Sequence, residues 1–410
     1  MHVVILADFA IAEGGAPELA IASAVALAEQ GIRVTYLHGV GDKGDARLEN
    51  NPNIVRAGFG GEDIWSKNIL AAVRDGVWNR EYLPWSRDLL AAGSDKNVVV
   101  HVHQWTKYFS PSVFSAILAS GLPMAVSMHD YFMSCPTGLM YRFDTKDACK
   151  LTPMSASYAA ARCDPRSQMH KMIRFARGLA VNRAIGDRRF AAIHVSEIGQ
   201  RTIGGFLPPA AKQFVLENPV ECADRGPRDA GQASKLVYCG RLTEEKGVLL
   251  AAEAARIAEL PILFVGDGPA RDAIMSINPN AEISGWLSRT EVRERIAREA
   301  MAIVAPSRWP ETGPLVVAEA LAAGVPAIVS DRAGASSRID NGINGFVVTP
   351  DANAIAVAAQ AFKYPDAVAA MGMAAYQGYW RNPSSLQKYA QHLIAIYDEM
   401  LTWRSDTVAA

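Results

Sequence analysis

Short apolar runs rich in β-branched residues alternate with helix-patterned segments along almost the whole chain, and this alternation restricts the fold more than any other feature. In the first half the runs are His2–Ala7, Arg33–Leu37, Val98–Val102, Met124–Met128 and Ala191–Val195. In the second half they are Lys235–Cys239, Pro261–Val265, Glu282–Ser284, Met301–Ala305 and Ala327–Ser330. Helical spacing of apolar residues falls between them at Ala16–Gln30, Val248–Ala258, Arg289–Ala300 and Leu315–Ala323. Runs that are apolar throughout, rather than at every second residue, predict parallel strands covered by helices on both faces. The fold class is α/β.

The pattern starts twice. Val3–Leu6 leads through Gly14-Gly15 into a helix, and Leu236–Cys239 leads through Gly240-Arg241 and a charged loop into another. Between these starts lies the least periodic stretch, Asn218 to Ser234, whose Pro219, Gly226, Pro227, Asp229 and Gly231 read as an exposed connection. A chain of 410 residues is also too long for one ordinary core. The reading is two doubly wound domains, 1–215 and 235–380, facing across a cleft and joined by a linker at 216–234. A helical pattern in 381–410 (Leu386, Tyr389, Leu393, Ile396, Tyr397, Met400) is expected to pack back on the first domain.

Composition removes several classes. Half of the residues are hydrophobic and 20% charged, which excludes wholesale disorder. A net charge of −1 argues against a dedicated nucleic-acid binder. Cysteines at 135, 149, 163, 222 and 239 are too few and odd in number for a disulfide framework, so a reduced, cytoplasmic protein is expected. The N-terminus has no basic n-region and no run reaches 18 apolar residues, so neither a signal peptide nor a membrane span is expected.

The densest chemistry lies between Gly240 and Glu319. Arg241 and Lys246 follow a strand, where open α/β sheets bind ligands, and together they suit adjacent phosphates. Read blandly, both are solvated loop charges. Next comes Pro306-Ser307-Arg308-Trp309-Pro310-Glu311-Thr312-Gly313-Pro314-Leu315. Pro314 suits the first helical position, Gly313 permits close approach of a ligand, and the amides of Leu315 and Val316 would form an anion site. Glu319 sits among Val316, Val317, Ala318, Ala320, Leu321 and Ala322, where a carboxylate without a partner would be costly. A ligand's hydroxyls would supply one; the alternative is an exposed helix residue.

In this order the pieces resemble the retaining glycosyltransferases of family 4. They are Gly240-Arg241 with Lys246-Gly247, Val265-Gly266-Asp267-Gly268-Pro269, Pro306-Ser307, and Glu311 and Glu319 in a Glu-x7-Glu pair that runs on to Pro326. Looser matches in the first domain are Gly14-Gly15, His101-Val102-His103, His129-Asp130-Tyr131 and Asn218-Pro219. Gly313-Pro314 replaces the family's commoner Phe-Gly, and Ala335-Ser336-Ser337 lacks a glutamate often found there.

The resemblance implies the GT-B fold of two Rossmann-like domains and a nucleotide-diphospho-sugar donor. It gives Gly240, Arg241 and Lys246 the diphosphate, Glu319 the ribose, and Glu311 the sugar hydroxyls. The amides from Gly313 to Leu315 and Val316 would meet phosphate or sugar, and Gly285-Trp286-Leu287 the nucleobase. His129 would face the donor sugar, while Gly14, Gly15, His103 and Asp130 would lie on the acceptor side. On this basis Arg241, Lys246, Glu311 and His129 are the catalytic candidates. The resemblance implies retaining transfer, and because no Asp-x-Asp occurs it is expected to be metal-independent and without a cofactor. The acceptor would be a glycan, a lipid-linked molecule or a small molecule, in bacterial polysaccharide or glycolipid synthesis. An epimerase or hydrolase on this fold, or a non-catalytic nucleotide-sugar-binding module, are the alternatives.

Other features are weaker. Gly39-Val40-Gly41-Asp42-Lys43-Gly44 fits a dinucleotide pattern but lacks a long helix after it. His101 and His103 share a strand face without a third ligand at motif spacing, which favours polar residues at a strand end over a metal site. Cys135, Cys149 and Cys163 lack a Cys-x2-Cys pair and read as ordinary thiols. Arg162–Arg189 carries eight basic residues and two acids, with Lys171, Arg174 and Arg177 on one helical face. That face suggests contact with anionic membrane lipid, against the plainer reading of a solvated helix.

Overall fold

Every apolar run named above is a strand, and all strands of both large sheets are parallel. The computed structural model describes the chain apart from residues 13, 83–84, 86–87, 89–96 and 409–410, and apart from the side chains of 232 and 404–408. The chain forms two units. The first holds Met1–Leu139, Leu151–Pro219 and Ser385–Ala410; the second holds Met140–Lys150 and Val220–Ser384.

In chain order the strands are β1 (His2–Ala7), β2 (Arg33–Val40), β3 (Ile54–Gly61), β4 (Val98–Val102) and β5 (Met124–Met128). A small hairpin follows, β6 (Tyr141–Arg142) and β7 (Asp147–Ala148), then β8 (Phe190–His194) and β9 (Ala211–Val215). The first unit's sheet has the order β3-β2-β1-β4-β5-β8-β9. Its central strands are buried along most of their length. The Gly15–Glu29 helix packs Leu19, Ala20, Ile21, Ala24 and Leu27 into the core beside the sheet. The Leu386–Val408 helix adds Tyr389, Leu393, Tyr397 and Met400 to the same cluster.

The second unit contains β10 (Lys235–Cys239), β11 (Ile262–Val265), β12 (Glu282–Gly285), β13 (Ala300–Ala305), β14 (Ala327–Ser330) and β15 (Gly345–Val348). Their order is β12-β11-β10-β13-β14-β15. The hairpin β6–β7 belongs to this unit although its flanks belong to the other. Lys146 pairs with Glu244 at 2.7 Å, and Asp147 pairs with Arg332.

Three strands of the large sheets, β3, β9 and β15, fall outside the sequence reading. All are sheet edges; β3 and β9 carry exposed residues that interrupt any apolar run, whereas in β15 the run Phe346-Val347-Val348 is apolar and only partly exposed, a legible strand that the reading lacks.

The basic face of the Gln168–Ile185 helix also differs from expectation. Lys171 and Arg177 are buried, and Arg174 is largely covered and pairs with Asp164 at 3.0 Å. The Lys171 ammonium donates to the carbonyls of Tyr158, Ala159 and Ala161, at the carboxyl end of the Ala156–Ala160 helix. A cation there satisfies acceptors that the short helix leaves open. Arg177 lies 4.6 Å from the Phe132 ring centroid and 5.6 Å from that of Trp105. This face therefore points into the unit and not towards a membrane. Among the described residues, no helix is long and apolar enough to cross a membrane.

Candidate functional site

In the second unit β10 and β13 lie side by side, while β11 and β12 continue to one side and β14 and β15 to the other. The loops leaving β10 and β13 therefore diverge at the carboxyl edge, where doubly wound sheets leave a crevice for ligands. The first loop carries Gly240, Arg241 and a 3₁₀ turn over Glu244–Lys246; the second carries Pro306 to Pro314. They touch at Gly247, which has φ of 76° and whose missing Cβ would stand 2.0 Å from the Pro306 carbonyl oxygen. Only glycine meets both conditions without displacing the backbone. The Tyr238 hydroxyl donates to the Arg241 carbonyl at 2.9 Å and the Arg308 amide to the Glu245 carbonyl at 2.9 Å, which fixes both loops.

Lys246 and Glu311 meet as an ion pair in this crevice, and the Ser307 hydroxyl donates to the second Glu311 oxygen. Glu311 and Ser307 are buried, and Lys246 is partly exposed, with its ammonium 5.7 Å from the Trp309 ring centroid. The Glu311 backbone is held on both sides. Its amide donates to the Arg332 carbonyl at 3.0 Å, and its carbonyl accepts from Gly334 at 2.8 Å. The carboxylate thus has a fixed direction and two donors. Ser307 and Trp309 lie within the motif read from sequence, but only the fold reveals their contacts. Arg241 is exposed on the same loop.

The helix after this loop spans Leu315–Ala322. Pro314 stands before it as the cap, with ψ of 102°, rather than at its first helical position. A cap residue has extended ψ, and the proline ring restricts φ alone, so Pro314 fits there equally. Gly313, Leu315 and Val316 are all partly exposed around the helix start.

Glu319 has its partner inside the protein. Arg289 donates to it at 3.1 Å and Arg293 at 2.9 Å, both from the Arg289–Glu299 helix. The expected cost of an unpaired carboxylate is therefore not incurred. The missed signal was the i, i+4 spacing of these two arginines, which puts them on one helix face. Gly285 ends β12 with φ of 75°, its carbonyl accepting from Gly266 at 2.9 Å. Trp286 beside it is exposed, and Leu287 packs partly against the core.

The first unit has a switch point of its own, between β1 and β4. Gly14, with φ of 106°, caps the Gly15–Glu29 helix, and a Cβ at either Gly14 or Gly15 would meet open space. His103 follows β4, and His129 and Asp130 follow β5. His103 Nδ1 lies 3.2 Å from His129 Nε2, one ring donating to the other. His101 lies in the core and not at a strand end: Nδ1 meets the Tyr397 hydroxyl at 2.6 Å and Nε2 the Ser127 hydroxyl at 2.9 Å. Its ring centroid lies 4.1 Å from that of His103, the two planes tilted by 39°. Burial lowers the pKa of His101 to about 3 and of His129 to about 4, and holds His103 well below the ordinary range. Burial raises Asp130 to about 6, opposed by the Phe132 amide and the Arg177 charge. Asp8, missed as a site candidate, accepts amides of Lys107 and Tyr108 at 2.8 and 2.9 Å, and burial raises it to about 6. The available signal was a carboxylate ending a buried strand.

These shifts set a pH dependence. His101, His103, His129 and His194 have lowered folded pKa values, so the unfolded chain binds more protons as pH falls from about 6.5 towards 4. Their contribution to stability is complete above that window and is lost through it. Asp8 and Asp130 act in the opposite sense between their ordinary value near 3.8 and about 6, but they are two groups against five, since burial lowers His38 as well. Each uncompensated proton changes stability by about 1.4 kcal/mol per pH unit. Thermal midpoints are expected to fall steadily from pH 6.5 to 4.5; a rise over this interval would contradict the histidine burial.

The remaining motifs gather no site. Gly39–Gly44 leads only to a four-residue helix, Ala46–Glu49. Among the described residues no three His, Cys, Asp or Glu side chains come together as a metal would require. Burial raises the thiols of Cys163, Cys222 and Cys239, the last to about 12.

Residues 233–362, within the second unit, match the family model described as Glycosyl transferases group 1. Over 121 residues the chain is 32% identical to a GDP-mannose-dependent alpha-mannosyltransferase of Corynebacterium glutamicum, covering 29% of each protein. Over 103 residues it is 38% identical to a putative teichuronic acid biosynthesis glycosyltransferase, TuaC, of Bacillus subtilis, covering 25% of each. The chain thus matches less than a third of the length of either relative. A crystal structure of Anabaena HepE in complex with UDP is similar over 97% of this chain and 100% of that one, with a TM-score of 0.61 and 15% identity. At that identity the likeness establishes a shared fold, two Rossmann-like domains of the GT-B type.

Proposed function

We propose, with its glycosyl transferases group 1 domain as the premise, that this chain moves a sugar from a nucleotide-diphospho-sugar to a hydroxyl of an acceptor, with retention and without a divalent metal. The observation that carries this reading is the Lys246–Glu311–Ser307 group at the β10/β13 switch point. A diphosphate in the crevice would take Lys246 from Glu311 and add Arg241 and the Leu315 and Val316 amides. The freed carboxylate would then accept from sugar hydroxyls. As the bond from anomeric carbon to phosphate oxygen breaks, positive charge grows on the sugar and negative charge on the diphosphate. Cations and amides fixed beforehand around the diphosphate favour that separation. In a retaining transfer the acceptor oxygen bonds to the anomeric carbon from the face the diphosphate leaves, and its proton passes to the leaving phosphate.

On this reading Glu319 is the ribose acceptor, with Arg289 and Arg293 holding its direction until a nucleotide enters. Gly285-Trp286-Leu287 would flank the base. In the first unit His129 would face the sugar, with Gly14, Gly15, His103 and Asp130 towards the acceptor. The acceptor would be a glycan, a lipid-linked molecule or a small molecule, and the teichuronic acid biosynthesis relative supports a role in polysaccharide synthesis.

Thermal-shift measurement against nucleoside diphosphates and their sugars tests the donor. At a hundredfold excess over Kd, the right nucleotide should stabilise the protein by about 2.7 kcal/mol. Lys246→Ala should lose that response. No response of wild type to any of these compounds would overturn the reading. Transfer should also survive EDTA; loss that is restored by a divalent ion would overturn the metal-independent step.

A further inference from the structure

The Gln168–Ile185 helix has its cations turned inward and leaves an apolar stripe facing solvent. Met169, Met172, Ala176 and Leu179 follow at spacings of three, four and three, so they lie in one row on the helix. The large members of the row are 67%, 51% and 54% exposed. Isolated exposed apolar side chains are ordinary, but a row of them is not. Beside it the Ile69–Trp78 helix presents the exposed Ile69 across a groove of about 230 Å³ that Met169 also lines, and Leu70 next to Ile69 is exposed too.

Charge flanks the stripe at its ends. Arg162 and Arg166 precede the helix and Arg183, Arg188 and Arg189 close or follow it, all exposed, with Asp187 the one exposed acid of this segment. Asp164 is taken by Arg174 at 3.0 Å. Arg166 lies 4.0 Å from the ring centroid of Trp65, itself exposed beside the groove. The surface is therefore apolar along its middle and cationic around it. A second copy of this chain would bring like charges together, whereas an anionic lipid surface complements both features.

We infer that this face lies in the headgroup layer of an anionic bilayer. The helix, about 27 Å long at 1.5 Å per residue, would rest parallel to the surface. Met169, Met172 and Leu179 would enter the boundary with the acyl chains, and the flanking arginines would meet lipid phosphates. Lys171 and Arg177, which read as membrane-facing in the sequence, support the face from beneath. The inference rests on this surface alone and is independent of the proposed sugar transfer.

Flotation of the full chain with phosphatidylcholine vesicles, with and without about a third phosphatidylglycerol, tests it. Recovery is expected with the anionic vesicles only, and it should fall as salt is raised. Met172→Asp/Leu179→Asp should lower recovery about tenfold at an unchanged thermal midpoint. Met172→Gln/Leu179→Gln adds no charge and should also lower it, which separates apolar insertion from electrostatic adsorption. Equal recovery from neutral and anionic vesicles, no recovery from either, or full recovery of the glutamine variant would overturn the inference. So would sedimentation of wild type as a dimer that the aspartate variant dissociates, because the stripe would then be an interface between copies.

Discussion

Replacing Lys246 with methionine is expected to slow sugar transfer about 10²–10³-fold, the usual loss when one preorganised group aimed at developing charge is removed. Methionine keeps much of the length and packing beside Trp309 but supplies no charge to a departing diphosphate. The substitution should also lower stability, because Glu311 is buried and would keep only the Ser307 hydroxyl as a side-chain donor. Lys246 is partly exposed, so the loss should stay at about 1–3 kcal/mol, below that of a fully buried pair. The double variant Lys246→Met/Glu311→Gln separates the two effects. A neutral amide no longer requires a cation, so the thermal midpoint should recover while the rate remains low. Initial rates and melting curves for wild type and both variants decide the matter. A single variant within threefold of the wild-type rate would remove Lys246 from the proposed chemistry.

Gly247→Ala is expected to cost about 2–4 kcal/mol, although it adds one methyl group to a loop. Two separate penalties meet at this position. The residue has φ of 76°, and its Cβ would stand 2.0 Å from the Pro306 carbonyl oxygen. That oxygen belongs to backbone and cannot rotate away as a long side chain would. Either the β10 loop or the β13 loop must move, and these are the loops that bring Lys246 to Glu311. Stability and nucleotide response should therefore fail together. Gly313→Ala supplies the contrast, because its Cβ would meet nothing within 4 Å and its φ is not positive. Its melting curve should match wild type. If Gly247→Ala does the same, the contact between the loops is softer than the geometry states.

The strands that could be read from sequence are mainly those covered on both faces. β1, β4, β5, β10 and β14 coincide with apolar runs because every residue of such a strand meets a helix or a neighbouring strand. β3 and β9 escaped because an edge strand half in water has no such pattern, whereas β15 carries the apolar run Phe346-Val347-Val348 and was legible. Lys246 and Glu311 were legible as residues at the ends of strands. Their pairing was not, since it depends on β10 and β13 lying side by side across 65 positions of sequence. The same limit hid the contact of His101 with Tyr397, 296 positions away. The Gln168–Ile185 helix illustrates another kind of error. Its periodicity separates a basic row from an apolar row, but periodicity does not tell which row faces the core. Lys171 faces inward because three carbonyls await it there, and those carbonyls are placed by tertiary structure alone.

The β6–β7 hairpin gives the chain a history that simple shuffling of modules does not describe. The polypeptide passes between its units at 139/140, 150/151, 219/220 and 384/385, so neither unit is a contiguous piece of the gene. A fragment cut at Val220 and Ser384 would leave Glu244 without Lys146 and Arg332 without Asp147. Chimeras that exchange the second unit with that of a relative must therefore carry Met140–Lys150 with it. Recombination at the obvious junction near Pro219 would pair each second unit with another protein's hairpin, so natural hybrids should preserve the compatibility of Lys146 and Asp147 with Glu244 and Arg332.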